Sequence, residues 1–411
     1  MTSSLWLHGA TVVTATGSGP EPAGILIDDG RITRIGGSVP GEAEVVDCTG
    51  LTLTPGLIDA HVHLGLASEL EPSVGYGMSV AEIAADMFSN CAQTVRSGFT
   101  TVRDCGGIDA GLARVVASGK LPGPRIVQCG PIHCQTGGHG HYASEWEPTH
   151  VWNEIEVPGL RTLTMLADGP DQMRRNARES FRRGADFLKL CVTGGVISKH
   201  DKLTDTQFSA EEIAVAVAEA AARGTYVTVH ALNVDGIRMA VLAGVRCVEH
   251  GSGIDEETAA LMAERQVSLV PTLAALERLI RNIDDLGLPS HFADKAAGVR
   301  QAMIDGLLVA TAAGVRVGLG SDVIGPDQTG RGEELTLRAA AQSPMEALIA
   351  ATRINADLLG LGSEIGTLEV GKQADIVAFA GSPLDDPKLF ADPDSVVLVV
   401  QNGVVAKDER K

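Results

Sequence analysis

Residues 59–63 read DAHVH, and four more short stretches of the same kind follow: FLKL at 187–190, TVH at 228–230, VEH at 248–250 and GSD at 320–322. Each belongs to an apolar run that reads as a buried strand. Each brings a side chain able to hold a metal or help build its bridge: His61 and His63, Lys189, His230, His250 and Asp322. One such residue at a strand end means little. A whole set at the carboxyl ends of successive strands is hard to explain as core chemistry. It is what a (β/α)₈ barrel needs, because there the catalytic groups come from the ends of several strands at one face.

The stretches between them support an α/β class. Eight strand candidates appear in the middle of the chain: GLIDAHVH, GFTTVRDCG, RIVQCG, ADFLKLCVTG, TYVTVHA, VRCVEHG, VSLVPT and VRVGLGSD. They alternate with helical stretches, which argues for parallel βα units. SAEEIAVAVAEAAARG predicts a helix with Ser209 as N-cap, Glu212 three residues on and Gly224 as the stop. SPMEALIAATRINADLLG predicts another, with Ser343 capping and Pro344 at the first helical position. The two ends of the chain have a different texture, with short alternating strands. Asp29-Gly30 and Asn402-Gly403 are hairpin signals. The expected organisation is a small β-sandwich from residues 1–55 plus 365–411, and a TIM-like catalytic barrel from residues 56–364.

Composition narrows the partners. Thirty-three basic against 52 acidic residues give a net charge of −19. Nucleic acid and anionic membranes need a basic face, so neither is an expected partner. The seven cysteines form no C-x-x-C pair, and several lie in apolar runs (Cys129, Cys191, Cys247), as reduced buried thiols do. The start MTSSLWLHGATVV has no basic segment ahead of an apolar one, and no stretch is long enough to cross a bilayer. The expectation is a cytoplasmic homo-oligomer acting on a small molecule.

The chemistry follows from residue types and spacing. Residues i and i+2 of a strand face the same side, so His61 and His63 point inward together and Val62 outward. Imidazole is the commonest metal ligand, and the apolar LTPGLIDA ahead of the pair favours that use over a solvated face. A lone histidine at a strand end is more often a hydrogen-bonded core residue, but His230 and His250 stand in consecutive βα units. Glu249, just before His250, is expected to face outward toward the helices. Lys189 lies inside an apolar strand, where lysine is rare without a partner. Burial favours its neutral amine, which can add carbon dioxide to give a carbamate able to bridge two cations. Asp322 could ligate a metal and take the proton of a water whose pKa the metal brings to about 7.

These motifs together resemble the amidohydrolase superfamily of binuclear metal hydrolases, over essentially the whole chain. PGLIDAHVHL is similar to the strand-one signature, and GTLEVGKQADIVAF and VVQNGVVA to the closing sandwich strands. TVRDCGG, TGGHGH, FLKLCVTGG, VHALN and AGVRCVEHG look most like the imidazolonepropionase-like branch with Xaa-Pro dipeptidase. The resemblance implies His61 and His63 on a first metal, His230 and His250 on a second, and carboxylated Lys189 between them. It implies Asp322 on the first metal as the base. Zinc is the expected metal, and the expected reaction is cleavage of an amide-type bond by a metal-bridging hydroxide, in an N-acyl amino acid, a dipeptide or a cyclic amide. Some peptidase members carry a tyrosine soon after the strand-five histidine; here Ala231, Leu232 and Asn233 follow His230.

The loop GPIHCQTGGHGHYASEW carries His133, His139 and His141. His133 reads as a plain loop residue. Glycines around His139 let the backbone approach a ligand closely, which makes His139 the candidate for polarising the scissile carbonyl and His141 the second choice for meeting substrate. Two other readings stand beside the hydrolase. One is a one-metal deaminase, which does not need Lys189. The other is a metal-free barrel serving as an assembly module.

Overall fold

The computed structural model describes residues 4–39, 41–67, 78–143, 145–146, 156–198, 200–283 and 291–410. Both ends of the chain build one eight-stranded sheet. Its members are β1 (Leu5–Val12), β2 (Glu21–Asp28), β3 (Arg31–Ile35), β4 (Glu44–Asp47) and β5 (Thr52–Pro55) from the start. From the other end come strands 376–379, 396–401 and 404–408. The two halves meet where Thr52–Pro55 pairs antiparallel with Ile376–Phe379. Both expected hairpins form. Asp29 and Gly30 take φ of 47° and 77°, Asn402 and Gly403 50° and 77°, as a turn with two left-handed central residues requires. Leu7, Ile25, Leu53, Ile376 and Leu398 fill the core of this sheet.

Between these ends the chain is α/β with parallel strands. β6 (Leu57–Val62), β7 (Phe99–Asp104) and β8 (Arg125–Gln128) pair in that order. A second parallel sheet holds β9 (Ile132–Cys134), β10 (Thr164–Leu166), β11 (Leu188–Cys191), β12 (Val227–Ala231), β13 (Cys247–His250) and β14 (Ser268–Val270), in the order β10-β9-β11-β12-β13-β14. Outward residues of β11, β12 and β13 (Leu188, Leu190, Val227, Val229, Val248) pack on helix residues such as Ile213, Ala216, Ile237 and Ala240. The helix Ala210–Ala221 starts with the expected reciprocal Ser209–Glu212 cap. At Pro344–Ile349, Ser343 accepts from the Glu346 N–H.

Two strand expectations change. His133 was expected in a loop, but Ile132–Cys134 is a strand paired with both β10 and β11. His133 is fully buried there, with Nε2 3.2 Å from the Ser180 hydroxyl. The chain turns at Gly130 (φ 70°) between β8, the third strand of the sequence reading, and this additional strand. The eighth, VRVGLGSD, makes no regular ladder: a single parallel bridge joins Val317 to Leu269. Asn355 explains this. Its Oδ1 accepts the Leu319 N–H at 3.0 Å, and its Nδ2 donates to the carbonyls of Ile58 and Leu319 at 2.7 and 2.8 Å. One side chain thus takes the Leu319 N–H and shares the Leu319 carbonyl with the Ala60 N–H. The segment still lies between the two sheets. Gly318 N donates to Leu269 O on one side, while Ala60 N donates to Leu319 O and Asp322 N to His61 O on the other. Among the described residues no helix is long and apolar enough to cross a membrane.

Candidate active site

His61, His63, His139, Lys189, His230, His250 and Asp322 all line one cavity of about 400 Å³. Strand alternation delivers most of them. In β11, Leu188 and Leu190 enter the helix-facing core and Lys189 faces the cavity; in β12, Val229 and Ala231 face the helices and His230 the cavity. In β6, Val62 packs against Ile83 and Met87 of the helix Val80–Arg96, leaving His61 on the opposite side.

The last turn of each strand does the rest. His250 has φ of 68° and Asp322 of 53°, so both leave the extended conformation where the sheets end. This overturns the outward placement of Glu249. Alternation puts Val248 on the helices and Glu249 inside; the left-handed turn at His250 then brings that imidazole to the cavity as well. Glu249 is fully buried, with Oε2 2.8 Å from His61 Nδ1 and Oε1 2.6 Å from Arg103 Nη2. Removing one partner from such a buried ion pair costs about 3–5 kcal/mol. Arg103 and Glu249 were missed as site residues. The signal was present, since an arginine and a glutamate inside two apolar strand runs call for partners.

Two glycines are required by close approach. A Cβ on Gly320 would lie 2.4 Å from the His61 Cβ, and one on Gly195 2.0 Å from the His139 ring. Gly195 is therefore the floor on which His139 lies, while the His139 N–H donates to Gln207 Oε1 at 3.0 Å. His139 stacks on His230, with ring centroids 4.1 Å apart and planes at 22°. His141 does not line the cavity; its Nδ1 accepts the Gly137 N–H at 2.9 Å and so braces the turn that carries His139.

The hydrogen bonds set the tautomers. His63 Nδ1 lies 2.8 Å from the Gly106 carbonyl, and His61 Nδ1 faces the Glu249 carboxylate. Both acceptors lack a proton, so both Nδ1 atoms carry hydrogen, and in the neutral rings both Nε2 atoms carry lone pairs. Those two Nε2 atoms are 3.3 Å apart, with Asp322 Oδ1 3.5 Å from one and 3.3 Å from the other. His230 Nε2 lies 3.2 Å from the Gly194 carbonyl, which leaves its Nδ1 as the open nitrogen. His250 Nδ1 contacts the Thr272 hydroxyl at 2.7 Å. Burial lowers His61 and His139 to about 4, and holds His230 and His250 well below the usual imidazole range. Burial also opposes charge on His63, but the Asp322 carboxylate outweighs it and raises that group. Burial alone would raise Asp322; the surrounding imidazoles instead hold its carboxyl well below the ordinary range.

Two imidazole nitrogens and a carboxylate that converge in this way need a proton or a cation among them, or they repel. The Lys189 amine is buried beside them and, among the described residues, has no hydrogen-bond partner. The residues present therefore fit divalent metal, and His61, His250 and Asp322 also place one ligand atom each within 4.8 Å of one another.

The comparisons with known proteins agree with this chemistry. Residues 52–406 match the model of the amidohydrolase family. This chain belongs to the amidohydrolase family. Ochratoxinase of Aspergillus niger is 29% identical over 417 residues, covering 98% of this chain and 86% of that one. A prolidase crystallised with N-methylphosphonate-L-proline superposes with a TM-score of 0.91 at 33% identity, over 99% of this chain and all of the other (100%). A Xaa-Pro dipeptidase with methionine in its active site gives 0.86 at 28% identity, over 98% and 99% of the two chains. The amidohydrolase is thus a hydrolytic enzyme, in the branch to which its motifs point, and the family is generally metal-dependent.

Proposed function

We propose that this amidohydrolase cleaves an amide-type bond of a small molecule with two divalent cations, zinc in the first instance. The observation that carries the reading is the unpartnered Lys189 amine amid four imidazoles and Asp322. In this reading the hydrogen bonds from the segment 316–322 to both parallel sheets close a (β/α)₈ barrel over residues 56–364. The terminal strands, 1–55 plus 365–411, form the small sandwich domain. His61, His63 and Asp322 would hold the first cation, and His230 and His250 the second. Lys189, once its amine has added carbon dioxide and released a proton, would supply a carbamate to help hold both.

Bound divalent cations supply Lewis acidity to a carbonyl and lower the pKa of water to about 7. The chain's own groups do the rest. Asp322 takes the proton of the attacking water and returns it to the leaving nitrogen. His139, neutral because it is buried, donates a ring N–H to the oxyanion of the tetrahedral intermediate. Gly195 and the stacked His230 keep that ring in place. Val196, Leu232, Leu276, Val299 and Met303 wall the cavity and favour an apolar group on the substrate. The named activities of ochratoxinase and the prolidase direct the first screen to N-acyl amino acids, dipeptides and cyclic amides. The reading includes a cytoplasmic location and a homo-oligomeric assembly.

Metal analysis of the purified protein tests it. Two cations per chain are expected; one indicates a deaminase-type site and none a non-catalytic module. Prolonged chelation should abolish turnover, and added zinc should restore it.

His139→Ala is expected to lower kcat on the order of 10²-fold, about 3 kcal/mol, with metal content unchanged. Loss of metal would make His139 a ligand, and unchanged kinetics a bystander. His141→Ala, measured alongside, should disturb turnover only through the loop it braces.

A further inference from the structure

Glu249 has no part in the reaction outlined above, yet its carboxylate is committed on both oxygens. Oε1 accepts from Arg103 Nη2 at 2.6 Å and from the Thr228 hydroxyl. Oε2 faces His61 Nδ1 at 2.8 Å. Arg103 is pinned in turn. Its Nε donates to the Ala60 carbonyl at 2.6 Å, and its guanidinium lies 5.6 Å from the centre of the Phe187 ring. Arg103, Thr228, Glu249 and His61 thus link β7, β12, β13 and β6 through one buried chain of hydrogen bonds.

The direction of that chain is set by its far end. A guanidinium and a hydroxyl donate to Oε1, and an ionised carboxylate can only accept. The hydrogen between Glu249 and His61 therefore belongs to Nδ1. His61 Nε2 is left with its lone pair, aimed toward His63 Nε2 at 3.3 Å and Asp322 Oδ1 at 3.5 Å.

We propose that Glu249, oriented by Arg103 and Thr228, is a positioning residue that locks His61 in the Nδ1–H tautomer and so makes Nε2 a ligand of the first cation. The proposal rests on the two-cation reading above and adds to it the device that prepares one ligand. Partners of this kind, behind the ligating ring, typically contribute 10–100-fold to metal affinity.

Glu249→Gln is the informative variant because the amide must choose. Two donors, one of them charged, already point at the Oε1 position, so the amide oxygen turns there. The NH₂ then faces His61 Nδ1 and donates to it. His61 must move its proton to Nε2, where it blocks coordination.

The experiment combines chelator competition on wild type and Glu249→Gln with ¹⁵N spectra of histidine-labelled protein, metal-free and metal-loaded. The expected result is a variant that folds, retains the second cation and loses the first at about 10–100-fold lower chelator concentration. Its His61 signals should change from the Nδ1–H to the Nε2–H pattern. A variant that holds both cations as tightly as wild type, or whose His61 stays Nδ1–H, overturns the proposal while leaving the two-cation reading intact. A wild type that binds no divalent cation overturns both. Should Glu249→Gln fail to fold, the metal-free wild-type spectrum decides. Nδ1–H at His61 upholds the proposal, and Nε2–H overturns it.

Discussion

Lys189→Ala is expected to lose its cations and its turnover together. Leu188 and Leu190, on either side, are fully buried among Ala167, Met173 and Ile213, so the strand has its own reasons to stay in place. The lysine side chain contributes something different. The residue is 2% exposed in a cavity, and among the described residues its amine has no hydrogen-bond partner. Lysine is rarely buried so deeply without a hydrogen-bonded partner. A carbamate between two cations removes the difficulty, because its charge is then met on both oxygens. On the two-cation reading, truncation to alanine would take away the bridge and leave two clusters of imidazoles whose cations repel each other. Metal analysis should find the variant depleted, and turnover should fall to the detection limit. Short carboxylic acids, small enough for the vacated space, should restore part of the rate by standing in for the carbamate. Thermal unfolding of metal-free wild type and variant separates loss of the bridge from loss of the fold. Full metal content with a normal rate would remove Lys189 from the site.

Much of this was legible in the sequence, and the reason is periodicity. H-x-H in an apolar run, a lysine between two leucines, and histidines closing two consecutive βα units are alternation signals. Alternation holds as far as the regular strand does. It put Lys189, His230 and His61 on one side with His63, and the four line one cavity. It failed at Glu249, where a left-handed residue ends the strand and lets two neighbours face the same side. Positive φ at a non-glycine residue leaves little trace in composition, so periodicity alone could not place Glu249; the signal available was a glutamate inside an apolar strand run, which calls for a partner. The segment 315–322 shows the complementary case. Its residues read as a strand, and it does bond to both sheets, but the Leu319 N–H goes to Asn355, 36 residues away in sequence beyond two helices and a π turn. No local signal announces a side chain that substitutes for a neighbouring strand. The His139 loop was half legible. Its glycines predicted close approach, and Gly195, which makes that approach possible, stands in a different loop.

Asp322→Asn is expected to lower the rate constant by roughly 10²-fold or more while the fold survives, in line with general acid–base contributions. The choice of asparagine follows from the backbone. Asp322 sits at φ of 53°, and its N–H donates to the His61 carbonyl at 2.8 Å, so its conformation is tied to the very strand that supplies two imidazoles. Asparagine visits the left-handed region more readily than other non-glycine residues; alanine there would add about 1–3 kcal/mol of strain and confuse the result. The amide is nearly isosteric and keeps one oxygen for a cation. What it lacks is the ability to accept and release a proton. Asp322 Oδ1 lies 3.3 Å from His63 Nε2 and 3.5 Å from His61 Nε2, so the lost proton acceptor stands inside the ligand cluster rather than at its rim. The measurement is kcat at saturating substrate, with metal content determined on the same sample. A large fall in kcat with both cations retained is the signature of a missing base. A fall that tracks loss of metal would make Asp322 a ligand alone. A variant within a few-fold of wild type would exclude it from the proton transfer, and His139 would then be the next group to test as the acceptor.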